Sequence, residues 1–321
     1  MGVEKTQDYV VKGNWLVARQ VMPGLLGYHF RPLHQRIPGM ARTSTLGLYR
    51  NWLIGGADTK QSWQIAAPMM NNRRKTGRGR ALYPDRRQSL KVAPLSSDYA
   101  ARMAREIAGR EQIAEIGALP APALQDHGTQ AGPDLIWLTE DMVAGRRLGV
   151  IRDRRLIAGS ILPAFARQAA ETQQQAQPIA ELLPAASADE PVLLTRLRDQ
   201  NPLASQSLCH GDVTAANCCV TPNGWTMLDW EWVGQGHALA DILHLAFKHH
   251  AKLGWMLAAI ARHAEEVDPA GRQGYIQGVA LLAARMLTTP CLTHARRAHI
   301  DSFITHALAV LPEDDRKHLT P

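Results

Sequence analysis

The sequence predicts an α+β chain in which a small β-rich part precedes a larger, mainly helical one. Three observations lead there. Short apolar runs bounded by turn residues cluster at 48–54, 63–67 and 89–93, the pattern of strands. Apolar residues at helical spacing run through 98–116, through 151–170 and through most of the chain after Gly236. Between these helical stretches, residues 208–228 read as apolar run, polar loop, apolar run, turn and apolar run, which is a hairpin pattern.

Taken in order, Trp15, Leu16, Val17 and Val21 form a short apolar element that Pro23-Gly24 breaks. Gly55-Gly56 supplies a hairpin turn between the first two strand candidates. Residues 71–88 are polar and basic and are expected to be a mobile, solvated loop. The third strand candidate carries Lys91 and stops at Pro94. Ser96-Ser97-Asp98 then offers N-cap chemistry for a helix running to about Ile116. Its apolar stripe is Tyr99, Met103, Ile107, Ile113 and Ala114; Glu106 lies beside that stripe and Glu111 farther round. Leu119-Pro120-Ala121-Pro122 is a rigid connector, and 135–139 is a buried strand candidate. The side chains of Glu140 and Asp141, which follow it, read as solvated. Residues 173–188, rich in Gln and Ala with two prolines, read as a polar helix end plus linker. Leu193, Leu194 and Leu197 mark one face of a helix ending near Asn201-Pro202.

The hairpin stretch carries the chemistry. Its loop holds His210, Asp212 and Asn217, Pro222-Asn223-Gly224 makes the turn, and Asp229 follows the return strand. Such a hairpin brings Asp212, Asn217 and Asp229 to one end. Two carboxylates and an amide suit a hard divalent cation, which takes oxygen ligands. His210 reads as a structural residue whose ring bonds to nearby backbone, and Asp241 as a buried hydrogen-bonding acid. Cys209, Cys218 and Cys219 lie close to His210, but zinc sites favour a wider ligand spacing. Adjacent Cys218 and Cys219 in a strand point to opposite faces, so they are expected to be small core residues. Trp230, Trp232 and Trp255 either pack the core or line a pocket.

The pattern His-x-Asp-x4-Asn, with Asp-Trp-Glu beginning twelve residues after the Asn, resembles the aminoglycoside phosphotransferase and choline kinase family and its protein-kinase-like fold. The resemblance spans about residues 41–250. It implies a small β-rich nucleotide-binding lobe, residues 1–139, and a hinge, 140–142. A larger helical lobe, 143–321, would carry the catalytic loop, the metal loop and the acceptor site, with nucleotide between the lobes. By resemblance, Asp212 accepts or orients the acceptor's proton, and Asn217 and Asp229 hold Mg2+. Lys91 grips the phosphates of ATP and Glu106 orients it, with Glu111 the alternative. The backbone of Glu140 and Met142 meets the adenine edge, and Ser44 and Thr45 lie in the turn over the phosphates. Glu231 is a candidate contact to metal-bound water or to the acceptor. The implied activity is ATP- and Mg2+-dependent phosphorylation of a hydroxyl on a small molecule. Asp229-Trp230-Glu231-Trp232 resembles the Asp-Trp-Glu-Tyr of bacterial choline- and thiamine-type kinases and tilts the acceptor toward a cation.

Composition sets the bounds. The net charge is +7, but residues 1–160 hold 24 Lys or Arg against 13 Asp or Glu, while 161–321 hold 12 against 16. A basic first half and an acidic second half fit a phosphate-binding lobe and a lobe that admits cations. The rival reading is a catalytically inactive kinase-like protein whose basic half binds nucleic acid or another anion. No zinc-finger, RNP or helix-turn-helix pattern accompanies it, so a nucleic-acid partner is not expected. No apolar run reaches transmembrane length, and the first thirteen residues lack the apolar core of a signal peptide. The four cysteines form no C-x-x-C, which points to a reducing, cytoplasmic setting.

Overall fold

The computed structural model describes the strands at 9–12, 15–18, 49–54, 63–68 and 79–83, and then residues 87–316 apart from 131–134, 188 and 289–291. The chain divides into two compact units, residues 1–111 with 122–144, and residues 112–121 with 145–321. The first carries small antiparallel sheets and the second is mostly helical, so the α+β class expected from the sequence is met.

In the first unit, β1 (Tyr9–Lys12) pairs with β2 (Trp15–Ala18), and β3 (Tyr49–Ile54) with β4 (Trp63–Pro68), both antiparallel. A four-stranded antiparallel sheet follows in the order β5-β6-β8-β7, from β5 (Gly79–Tyr83), β6 (Gln88–Pro94), β7 (Leu124–Gln130) and β8 (Leu135–Asp141). Lys91 lies opposite Arg80 on β5 and Leu138 on β8, so its backbone sits inside the sheet. Helix α1 (Asp98–Ile116) lays Tyr99, Ala100, Met103 and Ile107 against Ala93, Ile136 and Leu138. The buried face continues through Glu106, Arg110 and Ile113, whereas Ala114 is exposed. Gly117 closes the helix, its N–H donating to the Ile113 carbonyl at 2.9 Å.

Two segments differ from their sequence reading. The basic stretch 71–88 contains β5, which pairs in full with β6. The strand carries Arg80 and is set among further basic residues, which hide it from a reading by apolarity. The Gln-rich stretch contains β10 (Gln174–Pro178), which pairs with β11 (Leu203–Cys209). Its pairing partner, not its own apolarity, makes it a strand.

In the second unit, β11 also pairs with β14 (Gly234–Gly236). The hairpin is β12 (Cys218–Thr221) and β13 (Gly224–Met227), with Cys218 opposite Met227 and Val220 opposite Trp225. Strand β9 (Arg146–Arg147) adds to its other edge. One large core joins α2 (Leu162–Glu171), α3 (Val192–Gln200), α4 (Ala238–Phe247), α5 (Gly254–Arg262), α6 (Arg272–Leu287) and α7 (His294–Ala309). Helices α4 and α6 approach closely at Gly278, where an added Cβ would come within 2.9 Å of the Leu239 Cβ and 3.0 Å of the Ala240 nitrogen. This contact sets α6 beside the first turns of α4. No helix among the described residues is long and apolar enough to cross a membrane.

Replacing Gly278 with Ala is therefore expected to lower stability by about 1–3 kcal/mol, the usual cost of overpacking. Thermal unfolding of the variant beside the wild type measures it.

Candidate active site

Strand β11 ends at Cys209 and hands the chain to His210-Gly211-Asp212. Gly211 takes φ +81°, and a Cβ there would sit 2.2 Å from the Trp232 carbonyl oxygen. Both the left-handed backbone and the close approach require glycine. Asp241, in the first turn of α4, accepts the His210 N–H on Oδ2 at 2.7 Å and the Gly211 N–H on Oδ1 at 3.0 Å. Burial pushes the Asp241 carboxyl up to about 6, while Arg285 and the two N–H groups pull it down. At neutral pH it is a carboxylate holding the turn, the structural role expected for it.

The His210 ring is fully buried and tilted on Trp230, with centroids 4.4 Å apart. Its Nδ1 accepts the Asp212 N–H at 3.2 Å, which places the proton on Nε2, and Nε2 donates to the Leu228 carbonyl at 3.0 Å. Both nitrogens are bound to backbone, as the sequence reading proposed. The Asn217 amide nitrogen donates to Asp212 Oδ2 at 2.8 Å and to the Asp212 carbonyl at 3.0 Å. The Asn217 carbonyl accepts the Leu228 N–H at 2.7 Å. Asp229 follows at once with φ +65°, a backbone strain that persists in non-glycine residues where surrounding structure enforces it, commonly at functional sites. The loop and the far end of β13 are thus tied at Asn217, and Asp212, Asn217 and Asp229 share one end of the hairpin.

The neighbouring cysteines are core residues. Cys209, Cys218 and Cys219 are buried free thiols, and burial pushes Cys218 up to about 12. Trp230 is fully buried, its Nε1 donating to the Met227 carbonyl at 2.9 Å. The Arg154 guanidinium lies over the Trp255 ring, 4.5 Å from its centroid. Trp232 is the exposed one of the three at 44%. It borders a cavity of about 530 Å³ in the second unit, also lined by Gly211, Gln235, His237 and Arg285. Glu231 is buried.

In the first unit, Lys91 is buried and its Nζ lies 2.5 Å from Glu106 Oε1. Glu106, not Glu111, is its partner; Glu111 instead meets His127 at 3.0 Å. Glu140 departs from its solvated reading. It is 3% exposed, 2.5 Å from Arg110 and 3.5 Å from Lys91. An acid one residue from the strand's end is buried here because Arg110, whose guanidinium also reaches Glu106 at 3.7 Å, supplies the countercharge. Asp141 is exposed. The Glu140 backbone lies between Ser89 on β6 and Leu124 on β7, so it presents no open edge to an adenine. The Met142 N–H donates to the Arg87 carbonyl at 2.7 Å. Ser44 and Thr45 lie outside the described residues.

Three residues at these sites escape the sequence reading. Arg110 had a signal: it is four residues after Glu106 on the same helix face. His244 and Arg285 had none. Their positions beside Asp212 come from the packing of α6 on α4.

The first unit thus holds an antiparallel sheet with a buried lysine–glutamate pair, and the second a His-x-Asp-x4-Asn loop with a hairpin and a following acid among helices. Over residues 144–285 the chain matches the model of the phosphotransferase enzyme family, APH, which bears out the resemblance read in its sequence. No curated protein matches the chain. Similar solved structures include a choline/ethanolamine kinase family protein from Mesorhizobium loti, 14% identical, covering 72% of this chain and 85% of that one with a TM-score of 0.44. Amicoumacin kinase hAmiN in complex with AMP-PNP, Ca2+ and Ami is 12% identical, covering 84% of this chain and 90% of that one, TM-score 0.44. The aminoglycoside phosphotransferase APH(3'')-Id from Streptomyces rimosus, in complex with ADP and streptomycin, is 18% identical over 63% of this chain and 90% of that one, TM-score 0.39.

Two substitutions follow from these contacts. Arg110→Ala leaves two buried carboxylates facing one ammonium and is expected to cost about 3–5 kcal/mol, read by urea unfolding. Asp241→Asn sets an amide N–H against a backbone N–H in the loop turn. A loss of about 1–3 kcal/mol is expected, with a matching drop in melting temperature.

Proposed function

We propose that the protein transfers the terminal phosphoryl group of ATP to a hydroxyl of a small molecule. The observation that carries this reading is the Asp212 carboxylate, held by Asn217 at 2.8 Å in a loop whose turn is clamped from below by Asp241. Such a carboxylate takes the hydroxyl proton as the hydroxyl oxygen bonds to phosphorus and the bond to the ADP oxygen breaks. Positioning and charge stabilisation do most of the work in this reaction. Lys91, oriented by Glu106, would hold phosphate oxygens.

Asn217 and Asp229 fit a Mg2+ ion. The Asn217 amide nitrogen is turned to Asp212, which turns its oxygen the other way, and Asp229 adds a carboxylate. Both donors are hard oxygens, as Mg2+ requires. Among the described residues no group of three or more His, Cys, Asp or Glu could hold a metal by itself, and a Mg2+ ion here would take its remaining ligands from waters and phosphate. When bound, it would neutralise charge on the phosphate oxygens.

Of the two hinge positions, Met142 is the one that supports an adenine contact, through its carbonyl. The cavity beside Gly211 supports an acceptor lying against Trp232, where a cationic acceptor would gain about 0.5–2 kcal/mol from the ring face. A cytoplasmic setting fits the free thiols.

Asp212→Asn is expected to lower the rate of ADP release by about 10²–10⁴-fold and to leave ATP affinity nearly unchanged; loss of both together counts against a role in chemistry. Asp229→Ala should remove the dependence of ATP binding on Mg2+, measured by calorimetry with and without the ion. Salt-sensitive binding to nucleic acid, with no Mg2+-dependent binding of ATP by the wild type, would overturn the reading.

A further inference from the structure

Asp212 is flanked on its second side by two residues from distant helices. Arg285 of α6 donates from Nη1 to the Gly211 carbonyl at 3.0 Å and from Nη2 to His244 Nδ1 at 2.9 Å. His244 of α4 places that same Nδ1 3.6 Å from Asp212 Oδ1. The Asp212 side chain is 35% exposed, and side chains sit in discrete rotamers that their contacts select.

We propose that Arg285 and His244 are positioning residues for Asp212, with Arg285 bracing the catalytic turn and keeping His244 from closing an ion pair onto the Asp212 carboxylate. The inference rests on the phosphotransfer reading above. A planar guanidinium fork spans two acceptors at once, which a lysine cannot do. Because Nδ1 accepts from Arg285, it carries no proton, and the ring proton sits on Nε2. A protonated His244 would instead neutralise the carboxylate that has to accept the hydroxyl proton.

The groups facing His244 act in both directions. Arg285 from α6 and His210 from the loop disfavour its protonation, Asp212 favours it, and Phe247 on its own helix is apolar. Burial dominates and, with Arg285 and His210, pushes the imidazole down to about 3.

The test pairs a titration with kinetics on the full chain. In 15N-labelled wild type, NMR is expected to show His244 as the Nε2–H tautomer, with no protonation down to about pH 5, well below the ordinary midpoint of a histidine. In Arg285→Ala that midpoint should rise. With ATP and Mg2+ and water as acceptor, Arg285→Ala should lower kcat for ADP release about tenfold or more and leave the KM for ATP within about twofold. Arg285→Lys should keep the fold, judged by melting temperature, and recover only part of kcat. An unchanged His244 titration with unchanged kcat overturns the proposal. So does a loss in which kcat falls only in step with melting temperature, since that marks a merely structural role. If the wild type releases no ADP with water or any hydroxylated acceptor, the phosphotransfer reading fails instead. The His244 titration then still decides whether Arg285 controls the ring.

Discussion

A carboxylate buried under a backbone turn organises the second unit. Asp241 comes from the first turn of a helix and has no water to solvate it, so its charge must be met by donors from the protein. It finds them in two successive N–H groups, those of His210 and Gly211. Two adjacent amides point at one carboxylate only when the backbone turns sharply, and Gly211 supplies that turn with its positive φ. The rest of the loop follows from this geometry. His210 is drawn inward and satisfied at both ring nitrogens, Asp212 emerges on the far side, and Asn217 ties it to the strand that leads into Asp229.

The first unit solves a comparable problem with four charges. Lys91 and Arg110 are buried with Glu106 and Glu140, two cations against two anions. Taking ions out of water costs several kcal/mol each, and such a cluster rarely adds net stability over apolar packing. What it supplies is orientation. The Lys91 ammonium, drawn to Glu106 at 2.5 Å with Glu140 behind it, points one way. Arg110 bridges the two carboxylates from the other side, 2.5 Å from Glu140 and 3.7 Å from Glu106.

Much of this was legible in the chain, for reasons that differ by residue. The loop and hairpin could be read because they are local. Asp212, Asn217 and Asp229 lie within eighteen residues, and the turn between the last two is short enough to fix their side of the hairpin. The partner of Lys91 was legible only to the level of one helix, since Glu106 and Glu111 both sit on α1 and only burial distinguishes them. Glu140 read as solvated because its polarity is visible in the sequence and its countercharge, thirty residues earlier, is not visibly paired with it. Strands β5 and β10 were hidden in polar stretches for a similar reason. Each is made a strand by the neighbour that takes its hydrogen bonds.

The sequence by itself determined the α+β class, the order of a β-rich part before a helical one and the identity of the polar groups at the end of the hairpin. Periodicity, turn residues and short spacings are local quantities, and local quantities survive in one dimension. The tertiary structure decided which charges would be buried together and what would stand beside Asp212. His244 and Arg285 are 41 residues apart, and Arg285 is 74 residues from the loop carbonyl it holds. No periodicity links such positions. They meet because a glycine lets one helix press against another, and that contact exists only once the chain has folded.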